Sequence, residues 1–389
     1  MVDNSIKKMV GETFLEIGEA IQTGQFQKKI KVGLTILGSE HGTPNLVKGA
    51  ELAAKESKDF DIVLIGPKVD TDLEIAIADT EDEMYKKMEE LLEKKYIQAC
   101  VTMHYDFPIG VSTVGKVITP GYGKEMFLAT TTGTAAVGRV EAMVKNALYG
   151  VITAKATGLK EPTVGILNLD GARQTERALK ELKSNGYDIN FAESGRADGG
   201  SVMRGNDLLG GSCDIMVSDT LTGNIMMKVF SSYTTGGSYE ALGYGYGPGI
   251  GENYDKIILI LSRASGSPVV AGAIKYAAKL AQGNLTEVAK KEFEAAKKAK
   301  LDDILKSLTK DAGKAKEGGG EAVAAPPKEV VTGEIVGIDI MELEDAVQVL
   351  WKSGIYAESG MGCTGPVVMI SEANIEKSVK ILTEAKYIS

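Results

Sequence analysis

Histidine and cysteine are scarce in this chain: His41 and His104, and Cys100, Cys213 and Cys363, are all that 389 residues contain. The cysteines stand far apart with no C-x-x-C pair, which excludes the usual zinc and dithiol redox motifs, and neither a metal nor a cofactor is expected. Positive charge is also in deficit. Lysine and arginine number 44 against 53 aspartates and glutamates, a formal net charge of -9, so the basic footprint of a nucleic-acid partner is missing. No apolar run approaches the ~20 residues of a membrane span, and Met1 to Lys8 has no apolar signal core. A cytoplasmic protein in a reducing compartment is the expectation. G-x-x-x-x-G-K-[ST] is absent as well, which excludes an NTP-binding P-loop.

An apolar share of 43% is ample for a core, and the length suits two compact units with an appendage. Residues 1–28 carry Ile6, Met9, Val10, Phe14, Ile17 and Ile21 at helical spacing, the pattern of an amphipathic helix. Residues 29–310 alternate short apolar strands with longer helical stretches. Residues 311–332, with Gly318-Gly319-Gly320 and Pro326-Pro327, cannot bury a core and read as a flexible linker. Residues 333–389 form a small unit of strand 334–340, helix 343–353, a cysteine-bearing turn, strand 367–371 and helix 375–385. The whole is α/β: a three-layer α/β/α core with a mostly parallel sheet, and a C-terminal βαβα unit.

Four stretches carry chemistry. Strand 30–37 leads into Gly38-Ser39-Glu40-His41-Gly42-Thr43-Pro44, placed where a parallel sheet binds ligands. His41 there is a candidate ligand, or a hydrogen-bonded structural residue. Thr130-Thr131-Thr132-Gly133 reads as a strand breaking into a turn before helix 137–148, either an anion cradle or a plain N-cap. Strand 214–219 ends in Asp219, and Thr220-Leu221-Thr222-Gly223-Asn224 reads as a polar turn before helix 225–230. After strand 256–261, Ser262-Arg263-Ala264-Ser265-Gly266-Ser267-Pro268 opens helix 269–281. Three serines, a guanidinium and free helix-start amides suit a tetrahedral oxyanion, although capping serines with a locally paired arginine would look the same. The run Gly243-Tyr244-Gly245-Tyr246-Gly247-Pro248-Gly249-Ile250-Gly251 precedes a strand instead of following one, so it is no dinucleotide fingerprint and reads as a mobile or interface loop. Finally, Gly360-Met361-Gly362-Cys363-Thr364-Gly365-Pro366 puts a thiol in a glycine-rich turn, open to an acyl carbonyl or simply buried as a small apolar group.

The 38–44 loop, the Ser218-Asp219-Thr220-Leu221-Thr222-Gly223-Asn224 block and the Ser265-Gly266-Ser267 turn running into Ala273-Ile274-Lys275 resemble the phosphate acyltransferases of phospholipid synthesis and, more distantly, the phosphotransacetylases. Ser39-Glu40 stand where those families carry a Gly-Asp pair. With its linker and Gly-Cys-Thr-Gly-Pro setting, the entire chain resembles the alpha subunits of component C of the clostridial glycine/sarcosine/betaine reductase complexes. That resemblance implies anaerobic amino-acid fermentation, a catalytic Cys363 that carries an acetyl thioester, and release by inorganic phosphate as acetyl phosphate. The phosphate would be bound among Arg263, Ser262, Ser265, Gly266, Ser267, Thr130, Thr131, Thr132, Asp219, Thr222, Asn224 and His41. Implied partners are the beta subunit of component C and the selenoprotein that carries carboxymethyl-selenocysteine, in a hetero-oligomer, with a homodimer possible in isolation. Two alternatives remain: an acyl-carrier-protein-dependent acyltransferase with a structural Cys363, and a non-catalytic docking subunit.

Overall fold

The computed structural model describes residues 29–195, 199–308, 325–339, 342–362 and 365–388, together with Gly11, Phe14 and Gly18. Cys363, Thr364, most of the 1–28 helix and most of the 311–332 linker therefore lie outside the described residues.

Twelve strands make one sheet: β1 (Ile30–Thr35), β2 (Phe60–Gly66), β3 (Glu74–Ile77), β4 (Ala99–Thr102), β5 (Val111–Ile118), β6 (Glu125–Thr134), β7 (Thr163–Leu167), β8 (Asn190–Phe191), β9 (Val202–Met203), β10 (Ile215–Val217), β11 (Gly247–Gly251) and β12 (Ile258–Ile260). Their spatial order is β3-β2-β1-β4-β12-β11-β5-β6-β10-β7-β8, with β9 beside β7. From β3 to β12 every pairing is parallel, as is every pairing from β6 to β8. Antiparallel β11 and β5 join these two parallel halves.

The helices follow from the sequence between strands: α1 (Gly42–Glu56), α2 (Glu81–Glu93), α3 (Arg139–Ala156), α4 (Ala172–Ser184), α5 (Gly205–Gly210), α6 (Thr220–Ser232), α7 (Ser267–Gln282) and α8 (Leu285–Lys298). Strand residues alternate between two cores. Ile62 and Leu64 face the cluster that holds α1 and α7, whereas Val63 and Ile65 face the cluster of Met84 and Met88 on α2. In the other half Phe127 and Ala129 face α3, and Met126 and Leu128 face Met227 and Phe230 of α6. Strands covered on both faces explain their near-continuous apolar composition and give three layers. Cys100 and Cys213 are buried, and burial pushes both thiols well above their ordinary pKa, Cys213 to about 12.

Three expectations are corrected. The second half of the glycine-tyrosine run is no loop: 243–246 are irregular, but Gly247–Gly251 is the fully buried strand β11 at the sheet's centre. Its composition has a steric cause, because Gly247 has φ 82° and a Cβ there would sit 1.8 Å from the Val114 carbonyl oxygen. Thr220 to Asn224 is no turn either; it is the first turn of α6, with Asp219 as the N-cap accepting from the Thr222 N–H at 2.9 Å. The threonines at 130–132 lie within β6, which continues to Thr134, and α3 begins at Arg139.

A separate three-stranded sheet, in order β13-β15-β14, holds the C-terminal residues, with β13 (Gly333–Val336), α9 (Leu343–Lys352), β14 (Ala357–Gly362), β15 (Gly365–Ile370) and α10 (Ile375–Glu384). Gly360 to Gly362, expected to be part of the cysteine-bearing turn, belong to strand β14, whose Gly362 pairs with Gly365. Its core is its own, Ile335, Leu350, Val368, Ile370 and Leu382 among others. Two carboxylates tie it to the larger unit. Asp339 accepts from the Gly171 N–H at 2.8 Å at the start of α4, and Glu342 takes Arg177 through both oxygens at 2.8 and 2.7 Å.

The tightest backbone approach in the second half lies between α6 and β6. A Cβ on Gly223 would stand 1.7 Å from the Thr130 carbonyl oxygen, with no flexible atom to yield. Gly223→Ala should therefore lower stability by about 3 kcal/mol or more in urea unfolding; an unchanged midpoint would show that this helix does not lie against β6 as described.

Candidate functional site

Loops at the C-terminal ends of strands from both halves line one cavity of about 510 Å³. The first half contributes Glu40 after β1, Met103 to Phe107 after β4, and Ser262 and Arg263 after β12. The second contributes Thr132, Gly133 and Thr134 of β6, with Asn224 and Lys228 of α6. Tyr246 and Ile260 lie at the joining strands.

The first-half loops are laced to each other. The Glu40 N–H donates to the Arg263 carbonyl at 2.9 Å, Asn45 Nδ2 donates to the Ser265 carbonyl at 2.9 Å, and Ser267 Oγ donates to Asn45 Oδ1 at 2.8 Å. His41 is part of this lacing, its Nε2 lying 3.2 Å from the Ala264 carbonyl, and it does not line the cavity. Two anchors fix the second half. Thr220 Oγ1 donates to the Gly133 carbonyl at 3.1 Å, and Asn224 Nδ2 to the Thr131 carbonyl at 3.0 Å.

The expected site residues accordingly divide. Arg263, Ser262, Thr132 and Asn224 line the cavity. Thr130 and Thr131 are fully buried, their hydroxyls donating to the carbonyls of Thr113 (2.6 Å) and Tyr246 (2.7 Å). Asp219 and Thr222 are occupied in capping α6, where the Thr222 hydroxyl also meets Asp219 Oδ2 at 3.2 Å. Ser265 is buried against Glu240, and Gly266 and Ser267 open α7 on the side of Asn45, away from the cavity lining. Cys363 lies outside the described residues.

The lining residues outside the expected set include Lys228, His104 and Glu40. Lys228 lies one helical turn beyond Asn224 on α6, so the turn reading of 220–224 hid its placement. His104 follows β4, with its Nε2 3.2 Å from Asp106 Oδ1. Glu40 completes the acidic side. Among the described residues neither Arg263 nor Lys228 has a carboxylate within ion-pair distance; the Lys228 Nζ lies 5.7 Å from the centroid of the Tyr246 ring. Two cations outside any ion pair at a strand-end cavity are arranged to receive an anion. A second cavity, about 470 Å³ between α3 and α8, holds charges that are already paired, Glu141 with Lys145 at 2.7 Å and Glu252 with Lys297. Among the described residues no cluster suits a metal ion, and no helix is long and apolar enough to cross a membrane.

Comparison with known proteins places this arrangement in a family. Residues 30–369 match the fatty acid synthesis protein family. The chain is 70% identical over 382 residues to the glycine/sarcosine/betaine reductase complex component C subunit alpha of Peptoclostridium acidaminophilum, covering 98% of this chain and 99% of that one. It is 26% identical over 234 residues to a phosphate acyltransferase of Thermotoga petrophila, covering 51% of this chain and 67% of the relative. Among solved structures, a branched-chain phosphotransacylase from Enterococcus faecalis superposes with a TM-score of 0.46 at 15% identity, over 65% of this chain and 99% of that one. The chain belongs to the fatty acid synthesis protein family and, within it, to the alpha subunits of component C of the glycine/sarcosine/betaine reductase complex.

Proposed function

We propose that this chain transfers an acetyl group from a thioester on Cys363 to inorganic phosphate, releasing acetyl phosphate. The observation that carries the reading is the pair of cations, Arg263 and Lys228, lining one cavity with no carboxylate in ion-pair distance of either among the described residues. Phosphate near pH 7 is already an anion, so no strong base is needed to make it a nucleophile. Arg263 can present two parallel donors to its oxygens, and Lys228 adds a point charge. One phosphate oxygen attacks the thioester carbonyl carbon, the tetrahedral oxyanion collapses, the C–S bond breaks, and the sulfur leaves as a thiolate. Carbon–oxygen bond formation and loss of the thiolate complete the exchange. Thr132 and Asn224 also line this space.

The C-terminal unit supplies the sulfur. Its docking point at the start of α4 follows β7, on the same strand-end edge as the cavity and two strands from β6, or about 10 Å along the sheet. A linker over 311–332, as its composition suggests, would give roughly 25 Å of reach. One acetyl group could then be loaded at a partner's site and discharged here. By likeness to the component C alpha subunit, the partners are a beta subunit and the selenoprotein of the reductase complex.

Arsenate tests the chemistry, because acetyl arsenate hydrolyses at once and drives acetyl phosphate breakdown. The isolated chain should show arsenate-dependent loss of acetyl phosphate; a docking subunit would show none. Arg263→Ala and Lys228→Ala should each raise the KM for arsenate or phosphate by about ten- to a hundredfold, as expected for losing a charged hydrogen bond of ~1.5–3 kcal/mol. Unchanged KM values would place anion binding elsewhere. Cys363→Ala should abolish the reaction. Full activity in that variant would favour direct attack of phosphate on a carrier's thioester, with Cys363 structural.

A further inference from the structure

Behind the Arg263 turn lies a carboxylate that the scheme above leaves idle. Glu240 belongs to no strand or helix, yet it is only 3% exposed, which is unusual for a charged residue. It precedes the glycine-tyrosine run that becomes β11 and forms an isolated parallel bridge with Ser265. Its N–H donates to the Ala264 carbonyl at 3.0 Å, and its own carbonyl accepts from the Gly266 N–H at 2.8 Å. The carboxylate accepts from Ser265 Oγ at 3.1 Å.

These three bonds grip the residues immediately after Arg263, while the Glu40 N–H holds the Arg263 carbonyl from the other loop. Arg263 is thus clamped from both sides, and its guanidinium is left to project. The surroundings of the carboxylate are also suggestive. Burial pushes its pKa above the usual carboxylate range, and the hydroxyls of Ser262 and Ser265 and the Lys228 ammonium pull it back. The Tyr246 hydroxyl lies close enough to feel the same charge, although it is buried without a hydrogen bond of ordinary geometry. Glu240 therefore reaches both cations of the cavity, one through the backbone and one through space, without lining the cavity itself.

We propose that Glu240 is the positioning residue of the anion site: it fixes the 262–266 turn so that Arg263 faces the cavity. This rests on reading that cavity as the phosphate site. A bystander carboxylate would matter only for stability, whereas a positioning residue separates phosphate affinity from turnover.

Equilibrium binding of radiolabelled inorganic phosphate to the full chain, with arsenolysis kinetics alongside, makes the distinction. Glu240→Ala should weaken phosphate binding at least about tenfold while kcat at saturating anion stays within about threefold. Glu240→Gln keeps an oxygen for Ser265 and should bind within about threefold of wild type. Should the alanine variant fail to fold, Ser265→Ala removes the same side-chain bond from the other end and should weaken phosphate binding by about threefold or more. Tight phosphate binding by Glu240→Ala, or by Ser265→Ala, would overturn the role of Glu240 and leave the cavity assignment standing. A wild-type chain that binds no phosphate would overturn the cavity assignment, and this role with it.

Discussion

Two parallel half-sheets joined by an antiparallel ribbon are the constraint on which the rest depends. β11 and β5 pair with each other and with β12 and β6. Only a glycine-rich strand can lie there, because the Gly247 backbone runs against the Val114 carbonyl with no room for a Cβ. This junction lets the loops after β1, β4 and β12 meet the end of β6 and the start of α6 around one cavity. Without it Arg263 and Lys228 would belong to separate strand-end sites, each with half the charge needed for a divalent anion.

Nearly every other polar group near the cavity is already occupied. The threonines of β6 satisfy carbonyls of β5 and β11, Asp219 caps α6, Asn45 binds the 265–267 turn, and His41 lies against Ala264. Such saturation matches the general rule that buried polar groups find partners. Arg263 and Lys228, by contrast, line the cavity outside any ion pair among the described residues. Their rigidity comes from backbone contacts: α6 is pressed on β6 at Gly223, and the Arg263 turn is held by Glu40 and Glu240.

The sequence revealed the layer architecture and the loops around the cavity because parallel strands and amphipathic helices have strong periodicities. It marked Arg263 correctly as a residue at the strand end, but it could not say that Ser265 and Ser267 turn away from the cavity, since serine bonds equally well to a neighbouring loop. The glycine run at 243–251 misled for a physical reason: local propensity speaks for a turn, and only the closeness of β5 makes glycine the residue a central strand requires. Reading Asp219 as a strand's end and 220–224 as a polar turn, and not Asp219 as an N-cap, moved the start of α6 and hid Lys228. Glu240 gave no signal at all, because its burial depends on contacts with residues more than twenty positions away.

The C-terminal unit, with its own small core, is held to the strand-end edge by Asp339 and Glu342. The central claim is that its sulfur and the cation pair act on the same acetyl group, and mass spectrometry of the chain after incubation with acetyl phosphate tests it most directly. The account predicts an acetyl adduct on the peptide containing Met361 to Pro366 that disappears when inorganic phosphate is added. An unmodified peptide, in a chain that still breaks down acetyl phosphate with arsenate, would contradict it.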